Sequence, residues 1–190
     1  QTASGKRTKD GAALPPTRRG AVLSMLAYVN TIPHDYALDD IYAITRNEYT
    51  KQGVRGIPAL LGEHFFAGYL GGRDVELQGG RYRPLSLVTF AVEYEVFGEN
   101  PHVSHALNVL LYALLVVLIF RVFQRMFPIR GKEWWNMPVF LGLLLFALHP
   151  VHTEVVANIK GRDELLAAFF AFLALRSAMN YKQKGAWTSV

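Results

Sequence analysis

The chain has 190 residues, no cysteine, 51% hydrophobic and only 18% charged residues, and a formal net charge of +5. So apolar a composition excludes a disordered chain, and the missing cysteines exclude a disulfide framework, a thiolate metal site and a cysteine nucleophile. An ordinary soluble domain carries about a quarter charged residues; the deficit is concentrated in the second half, which points to an all-α membrane protein whose basic residues set topology and engage no nucleic acid.

In chain order, residues 1–19 read as a disordered basic cytoplasmic tail, polar and broken by a Pro pair. Residues 20–33 are a short first span: Gly20 to His34 reach only about 22 Å as a helix, so an interfacial segment fits as well. Pro33, His34 and an acidic cluster follow where a signal peptide would show a small-residue cleavage pattern, so none is expected. Residues 34–102 form an outer loop too long to be a mere connector. Within it, residues 39–51 and 56–69 carry apolar residues at helical spacing and predict short helices along the membrane surface. The turn-rich GGRDVELQGG follows, and RYRPLSLVTFAVEYEVFG resumes an amphipathic pattern.

The second span, residues 103–123, is the clearest, because Asn100 to Phe120 contains no Asp, Glu, Lys or Arg. A basic inner loop occupies residues 124–136. The third span, 137–150, sits in the equally uncharged stretch Trp134 to Thr153, which opens on a Trp pair suited to the interface. Residues 151–162 are a second outer loop. The fourth span, 163–180, reaches bilayer length if Arg176 snorkels, and residues 181–190 are a cytoplasmic tail. The sum is about four transmembrane helices with a long outer loop of interfacial helices. Charge supports this alternation: Lys6, Arg7, Lys9, Arg18 and Arg19, then Arg121, Arg125, Arg130 and Lys132, then Lys182 and Lys184 mark one side. The intervening segments hold most of the 15 acids and all six histidines.

His34, Asp35, Tyr36, Asp39 and Asp40 cluster just beyond the first span. Adjacent carboxylates repel, so one can have a raised pKa or both can share a cation; either suits a general base with a supporting partner. Alternatively, Asp39 and Asp40 are the cap and first-turn acid of the next helix. Arg81 and Arg83 suit bidentate phosphate binding, or contact headgroups without specificity. His105 and Asn108, spaced i and i+3 on the second span, either face a polar cavity or bond a neighbouring helix. His149, His152, Glu154 and Arg162 lie near membrane depth, where ionisable groups are functional candidates. His149, His152 and Glu154 fit no strong zinc signature, and no metal is assigned. The plainer alternative is that Pro150 ends a helix and Asp163 caps the next.

Three segments in order, NTIPHDYALDDIYAITRN, RYRPLSLVTFAVEYEVFGENPHVSHALNVLLY and LFALHPVHTEVVANIKGRDELLAAFF, carry a resemblance over roughly residues 28–178. They resemble the N-terminal membrane part of the transmembrane and tetratricopeptide-repeat O-mannosyltransferases and their bacterial relatives. That family is similar to the GT-C glycosyltransferases, which move a sugar from a polyprenyl- or dolichyl-phosphate to an acceptor outside the cytosol, usually with inversion. The resemblance implies a partial GT-C-like fold, Asp39 as the base toward the acceptor hydroxyl, and Asp40 supporting it. It further implies Arg83 and Arg162 as donor-phosphate partners, with His152 and Glu154 lining the cavity on the second-loop side. The expected partners are membrane lipid, the lipid-linked sugar donor, and a protein acceptor or the rest of a longer polypeptide. Such enzymes have at least seven core spans and the relatives carry C-terminal repeats, so a fragment or truncated member is implied. The resemblance leans toward a bacterial inner membrane with periplasmic outer loops; the alternative is the endoplasmic reticulum. The functional rivals are a non-catalytic membrane subunit or scaffold, and a transporter using His149, His152 and Glu154 as a proton relay.

Overall fold

A computed structural model describes residues 16–71, 82–127 and 138–183, and among these every regular element is helical. Helix α1 spans Pro16–Tyr28. The short helices α2 (Glu48–Lys51), α3 (Ile57–Gly62) and α4 (Ala67–Leu70) lead to α5 (Pro84–Phe97). Then come α6 (Pro101–Met126), α7 (Pro138–Ala147), α8 (Thr153–Ala157) and α9 (Arg162–Gln183). The sequence reasons for the longest are plain. Asn100 caps α6 by accepting the backbone N–H groups of His102 and Val103 at 3.1 and 3.3 Å, and Pro101 fills the first position, where its missing N–H costs nothing.

Two apolar cores organise the chain. In the first, Val109, Tyr112, Val116 and Phe120 of α6 recur every three or four residues and pack with Tyr28, Phe140, Leu143, Val156 and Leu165. Two tyrosines donate to carbonyls where α7 ends and the chain turns at Pro150: Tyr112 Oη to Ala147 O at 3.0 Å and Tyr28 Oη to His149 O at 3.3 Å. The two rings meet edge to face at 5.3 Å.

The second core gathers Ala43, Ile44, Leu60 and Phe65 onto Leu87, Phe90 and Ala91 of α5, with Ile159 inserted from the turn before α9. The apolar spacing of residues 39–51 and 56–69 thus serves in part to pack against α5, while Ile41 and Leu61 remain exposed. The helices are also broken. A π-helical turn, Ile41–Thr45, gives way to α2, whose start is fixed by Asn47 Oδ1 accepting from Tyr49 and Thr50 N–H at 3.1 and 3.0 Å. Gly53 then takes a positive φ of 61°, which a residue with a Cβ rarely adopts.

Of the stretches expected to span, α6 alone is long and apolar enough by itself among the described residues. Its 26 residues cover about 39 Å. Helix α7 passes only jointly with Pro150–Ala157, as a pair bent by 43°. Helix α1 has 13 residues, about 20 Å, and α9 has 22 but opens on Arg162, Asp163 and Glu164 and carries Arg176. Most of the N-terminal tail, residues 72–81 with Arg81, and most of the basic inner loop lie outside the described residues.

A tight turn, Ile159–Gly161, joins α8 to α9. A Cβ at Gly161 would run into the carbonyl of Val155. Gly161→Ala is therefore expected to cost about 1–3 kcal/mol of stability, read as a lower thermal unfolding midpoint, since the obstructing atom is backbone.

Candidate active site

The turn Asn158–Arg162 meets the segment that carries the acidic pair, and Arg162 is its buried charged member at 3% exposure. A guanidinium has five N–H donors, and all five are used. Nε donates to Asn108 Oδ1 at 2.7 Å. One amino group donates to Thr89 Oγ1 at 3.1 Å and to Glu93; the other reaches Glu93 Oε2 at 3.4 Å and Ser104 O at 3.0 Å. Its planar face lies 4.5 Å from the Phe90 ring centroid. The expectation that Arg162 holds a donor phosphate is therefore corrected. No donor is left over and no anion can reach it; it locks α5, α6 and α9 together.

His105 and Asn108 likewise belong to the interior and do not line an open cavity. Asn108 is fully buried, donating to the carbonyls of Asn158 and Ile159 at 3.3 and 3.2 Å while accepting from Arg162. Of the alternatives weighed for it, bonding to a neighbouring segment is the one observed. His105 has Nε2 3.5 Å from Asp35 O, and its Nδ1 is buried without a hydrogen-bond partner among the described residues.

The acidic pair divides into two unlike groups. Asp40 is fully buried, and its two oxygens receive different backbone donors: Ala37 N–H at 3.0 Å and, from 120 positions along the chain, Lys160 N–H at 2.8 Å. It stands at the cap position of Ile41–Thr45 yet makes no side-chain cap bond to that turn. Its carboxylate fastens the segment at Ala37 to the turn at Lys160 instead. Asp39 is exposed over 54% of its side chain, with Lys160 Nζ at 3.9 Å from Oδ2. Asp39 is thus the member with open lone pairs and access to a ligand.

Burial raises the Asp40 pKa above the ordinary 3.8, and the N–H groups of Ala37 and Lys160 only partly offset it. A carboxyl that binds its proton more tightly when folded loses stability as the pH climbs from its ordinary value through the raised one. We expect stability to fall over that interval in the native protein and to change less in Asp40→Asn. The amide cannot accept both N–H groups, so the variant should also lose about 1–3 kcal/mol overall, measured by thermal unfolding at several pH values. Tyr36, nearby, has its phenol pushed up to about 12, by burial first and by Glu99 second, and so stays protonated at neutral pH.

The remaining expected residues are spread out. His152 wedges against Phe146 and Tyr112, with ring centroids at 4.4 and 5.6 Å, while Glu154 is exposed in the first turn of α8. His149 Nδ1 accepts from Val151 N–H at 3.2 Å. Among the described residues no three His, Asp or Glu side chains group as metal ligands. Arg83 pairs with Asp163, remains 34% exposed, and stands in a cavity of about 350 Å³ lined also by Ser86, Glu164, Leu166 and Phe170. Two residues were not singled out from sequence: Lys160 and Glu93. Glu93 had a signal, since a carboxylate amid VTFAVEYEVF is costly unless a cation meets it.

The chain matches no protein-family profile and no solved structure. It is, however, 33% identical to human protein O-mannosyl-transferase TMTC1 over 91% of its own length and 19% of that protein's. It is 32% identical to mouse protein O-mannosyl-transferase TMTC2, over 82% of this chain and 17% of the relative. Over the matched residues the chain is similar to the TMTC protein O-mannosyl-transferases. A third member, mouse TMTC4, is 30% identical over 92% of this chain and 25% of its own length. The chain thus spans about a fifth of the length of the curated relatives it matches. Asp39, Asp40, Arg83, Lys160 and Arg162 all fall in the segments that carry the resemblance.

Proposed function

We propose that this chain forms part of an integral membrane O-mannosyltransferase of GT-C type, with Asp39 as general base. The observation that carries the reading is the unlike state of the acidic pair: one carboxylate spent on joining two loops, the next exposed and held beside a cation. In the reaction, Asp39 takes the proton of an acceptor hydroxyl. The acceptor oxygen forms the new bond to the anomeric carbon of mannose, and the old bond to phosphate breaks with its electron pair passing to the lipid phosphate. A carboxylate in hydrogen-bond reach of the hydroxyl supplies the base term of such a transfer.

The donor is a polyprenyl- or dolichyl-phosphate mannose, and Arg83 meets its phosphate by exchanging Asp163 for it at the mouth of the 350 Å³ cavity. The apolar lining by Leu166 and Phe170 suits the first isoprene units. In this reading α1, α6, the bent pair of α7 with Pro150–Ala157, and α9 cross the membrane, and both outer loops face away from the cytosol. The animal source of the three relatives supports an endoplasmic-reticulum-type membrane over the bacterial alternative. The full-length protein, incubated with polyprenyl-phosphate mannose and a peptide bearing Ser and Thr, tests the reading. Transfer that Asp39→Asn abolishes supports it; absence of transfer, or transfer undiminished in that variant, overturns it.

A further inference from the structure

The turn carrying Lys160 is built more firmly than a connection between two helices requires. Asn108 holds the carbonyls of Asn158 and Ile159 from inside the protein. Asn158 Oδ1 and Asp40 Oδ1 share the Lys160 backbone N–H, at 3.2 and 2.8 Å. Ile159 is fully buried in the second core, and Gly161 closes the turn against Val155. Every one of these contacts fixes backbone, and the long side chain so positioned is that of Lys160. It is 15% exposed, and its ammonium lies 3.9 Å from the exposed carboxylate of Asp39.

We propose that Lys160 is a positioning residue for Asp39, holding the carboxylate oriented toward the acceptor; this rests on the transferase reading above. A surface ion pair contributes little to stability, because two mobile side chains must be ordered and water screens them. Here the cation arrives on an immobilised turn, so the ordering is largely done by the fold. The pair therefore does little for folding and much for geometry at a reacting group, where a misplacement of about 1 Å costs about 10²-fold in rate. Asp40 has a matching part: by gripping the Lys160 backbone and the Ala37 backbone together, it sets the distance between the cation and its neighbour Asp39.

The test uses the full-length protein with polyprenyl-phosphate mannose and a Ser/Thr peptide. Lys160→Gln keeps the backbone N–H on which the turn depends, so its unfolding midpoint should match the native one. Its kcat should fall by about 10²-fold with donor and acceptor KM unchanged, and Lys160→Arg should restore most of the loss. Because Lys160 acts through Asp39, the double variant Asp39→Asn, Lys160→Gln should be no slower than Asp39→Asn alone. A native kcat in Lys160→Gln, a raised donor KM at unchanged kcat, failure of Lys160→Arg to restore the rate, or additive losses in the double variant would each overturn the proposal. So would a collapse of the unfolding midpoint in Lys160→Gln. Native transfer with an inactive Asp39→Asn and a fully active Lys160→Gln sinks this inference alone, whereas no transfer by the native protein sinks the function it rests on.

Discussion

Arg162→Met is expected to be the most damaging single substitution in the described part of the chain. The variant removes the cation facing Glu93, a buried carboxylate, and orphans Asn108 Oδ1 in the same step. Breaking a buried pair by removing one partner costs about 3–5 kcal/mol, because the other charge stays behind without compensation. The measurement is the thermal unfolding midpoint in detergent. Arg162→Lys should recover only part of the loss: an ammonium has three donors in no fixed plane, against five acceptor contacts arranged for a guanidinium. Adding Glu93→Leu to Arg162→Met should restore stability relative to the single variant, since no charge is then stranded. A native-like midpoint for Arg162→Met would show that the five contacts do not hold the three helices together.

The same residue shows where sequence reading stops. Ionisable groups at the start of an apolar helix are functional candidates by default, and on that ground Arg162 reads as an anion site. Its partner Glu93 lies 69 positions away on α5, and nothing in the local pattern says that α5 and α9 meet. Helix α6 was legible for the opposite reason. Its uncharged run with Asn-Pro at the start needs no partner to be identified, because length and capping are local properties. The segment 39–69 falls between. Its apolar spacing correctly signals short helices, but periodicity alone does not say what covers the apolar face; α5 does, with Ile159 wedged beside it.

The acidic pair was legible as chemistry and not as geometry. Neighbouring residues in a turn point in different directions, so an Asp-Asp dipeptide cannot reveal which oxygen goes inward. The decision comes from a backbone N–H on the other loop, that of Lys160, which no inspection of residues 34–51 could supply. Once that bond is made, Asp40 has both oxygens occupied and Asp39 is left facing solvent.

From this division follows the largest functional effect. Asp39→Asn is nearly isosteric and lies at an exposed position, where substitutions usually shift stability by no more than about 0.5 kcal/mol. Folding, membrane extraction and unfolding midpoint should therefore stay native. Mannose transfer from polyprenyl-phosphate mannose should fall by about 10²–10⁴-fold, the usual contribution of a positioned base, because an amide cannot take the acceptor's proton. The loss belongs in kcat more than in either KM, since proton transfer develops in the transition state and not in the bound ground state. Asp40→Asn should show the reverse pattern, with a lowered midpoint accompanying whatever activity it loses, because its carboxylate holds two backbones and is buried away from solvent. If Asp39→Asn unfolds while Asp40→Asn remains stable and inactive, the two roles are exchanged, and the base must be sought at the buried member of the pair.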